Sequence, residues 1–317
     1  MNFFKKTQVH LNYFSILSII ILLLLAVSQL LSAQNYKTYF ALSDHAHAHL
    51  KKGNADSCII MYKEIFKKWE ALPDECLYMA EAYLKTNNPK QAFVFFEKAV
   101  LKGVQLNNAA YHYKYCDTLK YASKWRQFVE HSYPKVRKKH LKTLDIDLYT
   151  QILTLHAVDN YVRLQYIENS KRDSALLWQL MDKIDTITLN AILGIIKTNK
   201  GYPSIQQIGD ASDDFYLLLL HTTDEKTELD LMPILIKAIE NGDLHPNQVA
   251  YLRDYHELGR TKTQIYGTLN PRFAPNTPIA DLENVDKRRG ELGLPTLERS
   301  YTEYKWALPK GYKALPK

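Results

Sequence analysis

A repeat with a period of 34 residues, running from 36 to 104, constrains the fold more than any other feature of this chain. Leu42, Ala46 and His49 align with Cys76, Ala80 and Tyr83, and Cys58, Tyr62 and Ile65 align with Ala92, Phe96 and Ala99. Small residues at these positions let two helices cross closely, and the aromatic one turn later fills the space beside the crossing. Gly53-Asn54 and Asn87-Asn88-Pro89 fall between the helical stretches, where the chain must turn. The pattern predicts helices near 36–51, 55–70, 74–87 and 90–102. A helical hairpin cannot bury its own apolar face, so such units must stack, about three at a time. A degenerate third unit runs from about Ala109 to Glu130, with Tyr113 and Trp125 as its large residues.

These positions resemble the tetratricopeptide repeat. The resemblance implies a concave face that binds peptides or proteins, or else a prop for the domain beside it. His45, His47 and His49 alternate with alanine in the first unit. On a helix His45 and His49 share a face, but no third metal ligand lies nearby, so neither metal nor cofactor is expected.

The first 33 residues read as a secretory signal: Lys5 and Lys6, an apolar run from about Tyr13 to Leu31, then Ser32-Ala33 before polar Gln34. Cleavage releases the body; retention leaves an N-terminal anchor, the only membrane contact expected. Both outcomes export residues 34–317, with the periplasm as the expected destination. Net charge is a mild +7 and scattered, which does not imply nucleic acid. Three cysteines (Cys58, Cys76 and Cys116) show no C-x-x-C spacing. A Cys58–Cys76 disulfide and small buried thiols are both open.

The expected organisation is a repeat segment over 34–130, a basic linker over 131–142 (Lys135, Arg137, Lys138, Lys139), a helical domain over 143–305 and a basic tail over 306–317. The second half reads as further helices, with Asp173 or Ser174 and Asp185 or Thr186 as caps. One apolar helix ends at His221, another stops at Asn241-Gly242, and Pro246 opens the next. Thr263–Leu269 is the one credible strand, half of a small hairpin, and 283–292 is the expected final helix. The fold class is therefore all-α, tetratricopeptide-like hairpins followed by a helical domain with at most one short β-hairpin.

One helix carries polar groups where they do not belong. At about 100° per residue, Leu148, Ile152, Leu155, Val162 and Tyr166 make an apolar stripe, and Asp159 falls inside it with His156 and Arg163 at its shoulder. A charge facing a core must be paired. Two explanations stand: an i,i+4 ion pair fastening helices, or a pocket for a polar ligand. G-x-S-x-G, H-E-x-x-H and P-loop motifs are absent.

From Asp159 to Tyr301 the chain resembles an uncharacterised bacterial family, the domain of unknown function 6624. The resemblance rests on Asp159…Arg163, Gly201-Tyr202-Pro203, Ile208-Gly209, His221, Ala250-Tyr251-Leu252 with Asp254, and Tyr266-Gly267-Thr268. It closes with Pro278-Ile279, Val285-Asp286, Arg288-Arg289 and Leu292-Gly293-Leu294. Tyr255 and Leu269 stand where the family has Arg and Gln. The helix face itself puts forward Asp159, Arg163 and His156, and the resemblance implies that His221, Tyr266 and Arg288 or Arg289 join them in one polar centre, with Asp159, Arg163 and His221 as candidate catalytic residues and His156, Tyr266, Arg288 and Arg289 as candidate ligand-binding residues. The leading expectation is a binding or scaffold protein with a protein or peptide partner; the alternative is a hydrolase-like enzyme or small-ligand binder at that centre.

Overall fold

The computed structural model describes residues 35–114, 118–222, 224–272, 274 and 277–314; the expected export signal over 1–33 lies outside them. Among the described residues the regular elements are all helices, without a named strand. Among them no helix is both long and apolar enough to cross a membrane.

Helices α1 (Tyr36–Lys51), α2 (Ala55–Ile65), α3 (Pro73–Lys85) and α4 (Pro89–Leu101) occupy the predicted spans, with α2 stopping one turn early. They pack as two consecutive hairpins. Proline opens α3 and α4, where its missing N–H costs nothing, and the Asn88 side chain caps α4 by accepting from the Gln91 N–H. Ala46, Cys58, Tyr62, Cys76, Ala80, Ala92, Phe96 and Ala99 have no solvent exposure, so the aligned positions are the packing positions. Leu42, which faces water, and His49, which is half-buried, are the exceptions. Cys58 and Cys76 are separate buried thiols, both pushed up to about 12 by burial; Cys116 lies outside the described residues. Ala80→Leu should overpack the crossing and cost about 1–3 kcal/mol in a thermal or urea melt.

Two acids are buried in this segment, Glu81 beside Lys85 and His112 and Glu75 among neutral partners. Ser43 Oγ donates to Glu75 Oε1 at 2.7 Å, and the Tyr62 hydroxyl donates to the Ser43 carbonyl. Burial, reinforced by the neighbouring Asp74 charge, pushes Glu75 up to about 7. The folded state therefore holds a proton there that the unfolded chain releases near pH 4.5. That contribution is present in full below pH 4.5 and is lost as pH rises through 7. Stability should fall by about 2 kcal/mol between pH 5 and pH 8 from this group, and Glu75→Gln should flatten the slope in pH-dependent urea melts.

Two shorter helices, α5 (Leu106–Lys114) and α6 (Thr118–Gln127), come next, with Tyr113 and Trp125 stacked at 4.3 Å. The basic run is not an open linker. After a π-helical turn at Phe128–Ser132 it forms α7 (Tyr133–Leu141), which packs on α4. Arg137 donates to the Gly103 carbonyl and pairs with Asp210, while His140 is buried with Nδ1 on the Leu101 carbonyl. These contacts tie the repeat segment to the C-terminal helices, and one apolar core runs through both.

The next helical span, α8 (Ile146–Asn199), covers 54 residues but is not one rod. Arg163 pairs with Asp185, and the Tyr166 and Trp178 rings lie 5.0 Å apart. In a straight helix those pairs would sit about 33 Å and 18 Å apart. The chain doubles back between Tyr166 and Trp178, giving two arms, 146–168 and 175–199. Asp185 and Thr186 are therefore not caps: Asp185 faces Arg163, and Thr186 Oγ1 returns to the Asp182 carbonyl inside the helix.

A short turn α9 (Ile205–Ile208) carries a capping box, then come α10 (Ala211–Thr222), α11 (Glu225–Asn241) and α12 (Pro246–Thr261). Gly242 ends α11 at φ 81°, as the Asn-Gly signal predicted. Residues 263–269 are not half of a hairpin. Their pairing is a single parallel bridge, Gln264 to Ile279, because their backbone N–H groups are taken by a side chain. After α13 (Val285–Leu292) there is one helix more than predicted, α14 (Leu297–Tyr304). The tail is tied down, with the Tyr312 hydroxyl donating to Asp286 Oδ2 at 2.6 Å.

Candidate functional site

Asp159, Arg163 and His221 converge. Asp159 sits on the first arm of α8 with its side chain 1 % exposed. Its Oδ1 accepts from Arg163 Nε at 2.9 Å and its Oδ2 from His221 Nδ1 at 2.8 Å. Burial alone would raise the Asp159 carboxyl, but the His221 hydrogen bond and the Arg163 charge outweigh it and hold it below the usual carboxylate value. Arg163 does not keep its free edge for a ligand. Its Nη2 donates to Asp185 Oδ1 at 2.5 Å, so it bridges the two arms. His221 adds α10, the helix packed against those arms. Asp185 was missed because Asp-Thr before an apolar stretch reads locally as a helix start.

The other candidates are elsewhere. His156 Nδ1 lies 2.7 Å from Asp214 on α10, not from Asp159. Tyr266, Arg288 and Arg289 belong to a second polar centre built on Asp254 of α12, which is fully buried. Asp254 accepts from the backbone N–H groups of Ile265, Tyr266 and Thr268 at 2.5–2.7 Å, and from the Thr268 hydroxyl at 2.7 Å. Arg289, 2 % exposed, spans the carbonyls of Tyr266 and Pro295 and the Ser300 hydroxyl. Arg288 holds the Ile265 and Ala280 carbonyls and Asp281. An irregular segment has no ladder to satisfy its peptide groups, and these three side chains do so instead. Tyr266 contributes its backbone to this centre.

Another buried acid, Glu228 of α11, pairs with Arg253 at 2.6 Å and with His256 at 2.6 Å. Nothing in the sequence marks Glu228, because it lies in an ordinary charged helix. Among the described residues no group of three metal-ligating side chains is assembled.

A cleft of about 720 Å³ lies between α1 and α3 on one side and α12, the 267–270 segment and α14 on the other. Its walls are aromatic. Tyr78 stacks on His47 at 3.7 Å, Tyr251 lies parallel to Tyr255, and Tyr304 stacks on Trp306 at 4.9 Å. Burial lowers both His47 and His245 to about 4, so both are neutral near pH 7. His245 Nδ1 accepts from the Asn247 N–H, which leaves the proton on Nε2, 3.9 Å from Asp44 Oδ1. Asp44 is pushed up to about 6, by burial and then by the charge of Glu303. Arg289 of the Asp254 centre forms part of the same wall, whereas Asp159, Arg163 and His221 do not.

Residues 146–310 match one protein family, described as a Family of unknown function (DUF6624). The chain belongs to DUF6624. The matched segment starts at the first residue of α8, so the arm before Asp159 is part of the DUF6624 unit, and it ends beyond α14. It contains the Asp159 and Asp254 centres and one wall of the cleft; the other wall comes from the repeat segment before it. No curated protein and no solved structure matches the chain.

Proposed function

We propose that the protein is an exported cell-envelope binding protein that takes a protein or peptide segment into the cleft between its tetratricopeptide-like hairpins and its DUF6624 unit. The observation that carries this reading is the cleft itself. Its volume of about 720 Å³ is in the range of ligand sites, its walls are stacked aromatics, and both parts of the chain build it. Rigid aromatic faces give contact area at small entropic cost, as protein-binding surfaces require. The leader over 1–33 supports export, and the 34-residue period supports the tetratricopeptide-like assignment.

The hydrolase-like reading keeps one observation on its side, an imidazole oriented by a carboxylate at 2.8 Å. Against it, Asp159 accepts on both oxygens and Arg163 is shared between two acids, which is how a fastening is built. A random peptide library displayed on phage and panned on the purified full chain separates the readings. Enriched peptides that Tyr251→Ala and Tyr304→Ala fail to retain support the cleft. Enrichment indifferent to both variants, or none above an unrelated protein, would overturn it.

A further inference from the structure

The first arm of α8 has an outer face that its buried face does not explain. Ile146, Thr150, Leu153, Ala157, Asn160, Leu164 and Ile167 succeed one another at spacings of 4, 3, 4, 3, 4 and 3 residues, and all seven are exposed. That is a 3.5-residue period sustained over three heptads, the spacing at which a helix keeps one seam against a long partner helix. Leu148, Ile152, Leu155, Asp159 and Val162 face the other way, into the fold, so the seam is additional to the apolar stripe that packs on α10.

The seam and its flanks are apolar as well as periodic. Ile146 is 51 % exposed, Leu153 37 %, Val158 45 %, Tyr161 64 %, Leu164 48 % and Ile167 71 %. Val158 apart, these fractions leave on the order of 500 Å² of mainly apolar surface in water along the seam, over half of the roughly 800 Å² that each side of a standard interface contributes. A patch of that size is at the upper end of what a monomer leaves open, and such patches mark interaction sites.

We infer that this seam is a dimer interface, in which the 146–167 arm packs against the same arm of a second copy of the chain. A second copy presents what the seam demands: an equally long helix with an identical period, bringing Ile to Ile, Leu to Leu and Ala157 to a close crossing. Asn160 is the one amide among these apolar contacts. Paired across a two-fold axis, two such amides satisfy each other, whereas an unrelated apolar surface would leave each buried without a partner. Membrane contact is opposed by the same residue, because an exposed Asn in mid-seam would have to enter lipid unpaired. The second arm carries a comparable stripe (Leu176, Leu180, Lys183, Ile187), but Lys183 at its centre would lose its hydration in any such contact.

Sedimentation equilibrium of the purified full chain in density-matched detergent tests this. The expected mass at about 10 µM is twice the 36.8 kDa of one chain. Leu164→Glu, a change at a surface position, should return a monomer with unchanged far-ultraviolet circular dichroism. Asn160→Leu should lower the dissociation constant at least ten-fold, because it replaces the one amide in the seam. Three results would overturn the inference: a monomeric wild-type chain, a dimer that survives Leu164→Glu with its helicity intact, and a monomer that becomes dimeric only when residues 1–33 are removed. The last would mean that the leader, not a second copy, covers the seam.

Discussion

Replacing Gly209 with Ala should cost about 3–5 kcal/mol, the largest effect expected of any single methyl group in this protein. Gly209 adopts φ 54° and ψ −131°, a combination that residues with a side chain avoid. A Cβ there would also meet His140 Nε2 at 2.8 Å and Leu144 Cδ2 at 3.1 Å. His140 cannot move away easily, since its Nδ1 is held by the Leu101 carbonyl and its ring is buried. Burial, and then the charge of Arg137, lowers the His140 imidazole below its usual value. The loss should appear as a lower urea midpoint with an unchanged m-value. His140→Ala in the same chain separates the two causes. If the steric term is real, the double variant should recover about 1–2 kcal/mol relative to additivity, and the remainder is backbone strain. An additive cycle would leave strain as the whole cause.

Replacing Arg163 with Met is expected to cost about 2–4 kcal/mol, a fall of roughly 5–10 °C in the thermal midpoint. Met preserves the apolar stem but removes the charge shared by Asp159 and Asp185. Asp159 is almost fully buried, so its carboxylate would keep only His221 as a partner. The cost stays below that of a wholly enclosed pair because Arg163 and Asp185 are each about a quarter exposed, and water can reach the gap. The change in pH dependence is a second readout. With Arg163 present the Asp159 carboxyl is held below its usual value, which contributes stability above the unfolded pKa near 3.8 that is lost as pH falls through the folded value. Without Arg163 that contribution shrinks, and acid unfolding should begin at a higher pH. Peptide capture by the cleft should survive the substitution, because Arg163 does not line it. A stable variant that has lost capture would instead return the Asp159 group to a functional role.

Local sequence carried most of the helical architecture. The 34-residue period placed four helices and their crossings because small residues at fixed offsets have few other uses in a helical chain. Asn241-Gly242 and Pro246 marked a stop and a start because backbone conformation is a local property. Asp159 was legible as an anomaly for the same reason: a 3.6-residue period says which residues face inward, and a charge among them needs partners. Its partner at i+4 was readable too, since Arg163 lies one turn away.

What the sequence could not determine is where distant segments meet. Asp185 lies 22 residues beyond Arg163, and only the reversal inside α8 brings the two together. Arg288 and Arg289 belong to Asp254 rather than to Asp159 because the 263–281 segment folds irregularly and needs their donors for its own carbonyls. Gly209 reads locally as a turn glycine, and only the packing of α7 sets an imidazole against its α-carbon. The cleft likewise joins Asp44 and Tyr78 to Tyr251 and Tyr304 across roughly 200 residues of chain. Periodicity acts over one or two turns and is written in neighbouring residues; burial, charge pairing and cavity shape arise only when those turns are packed against one another.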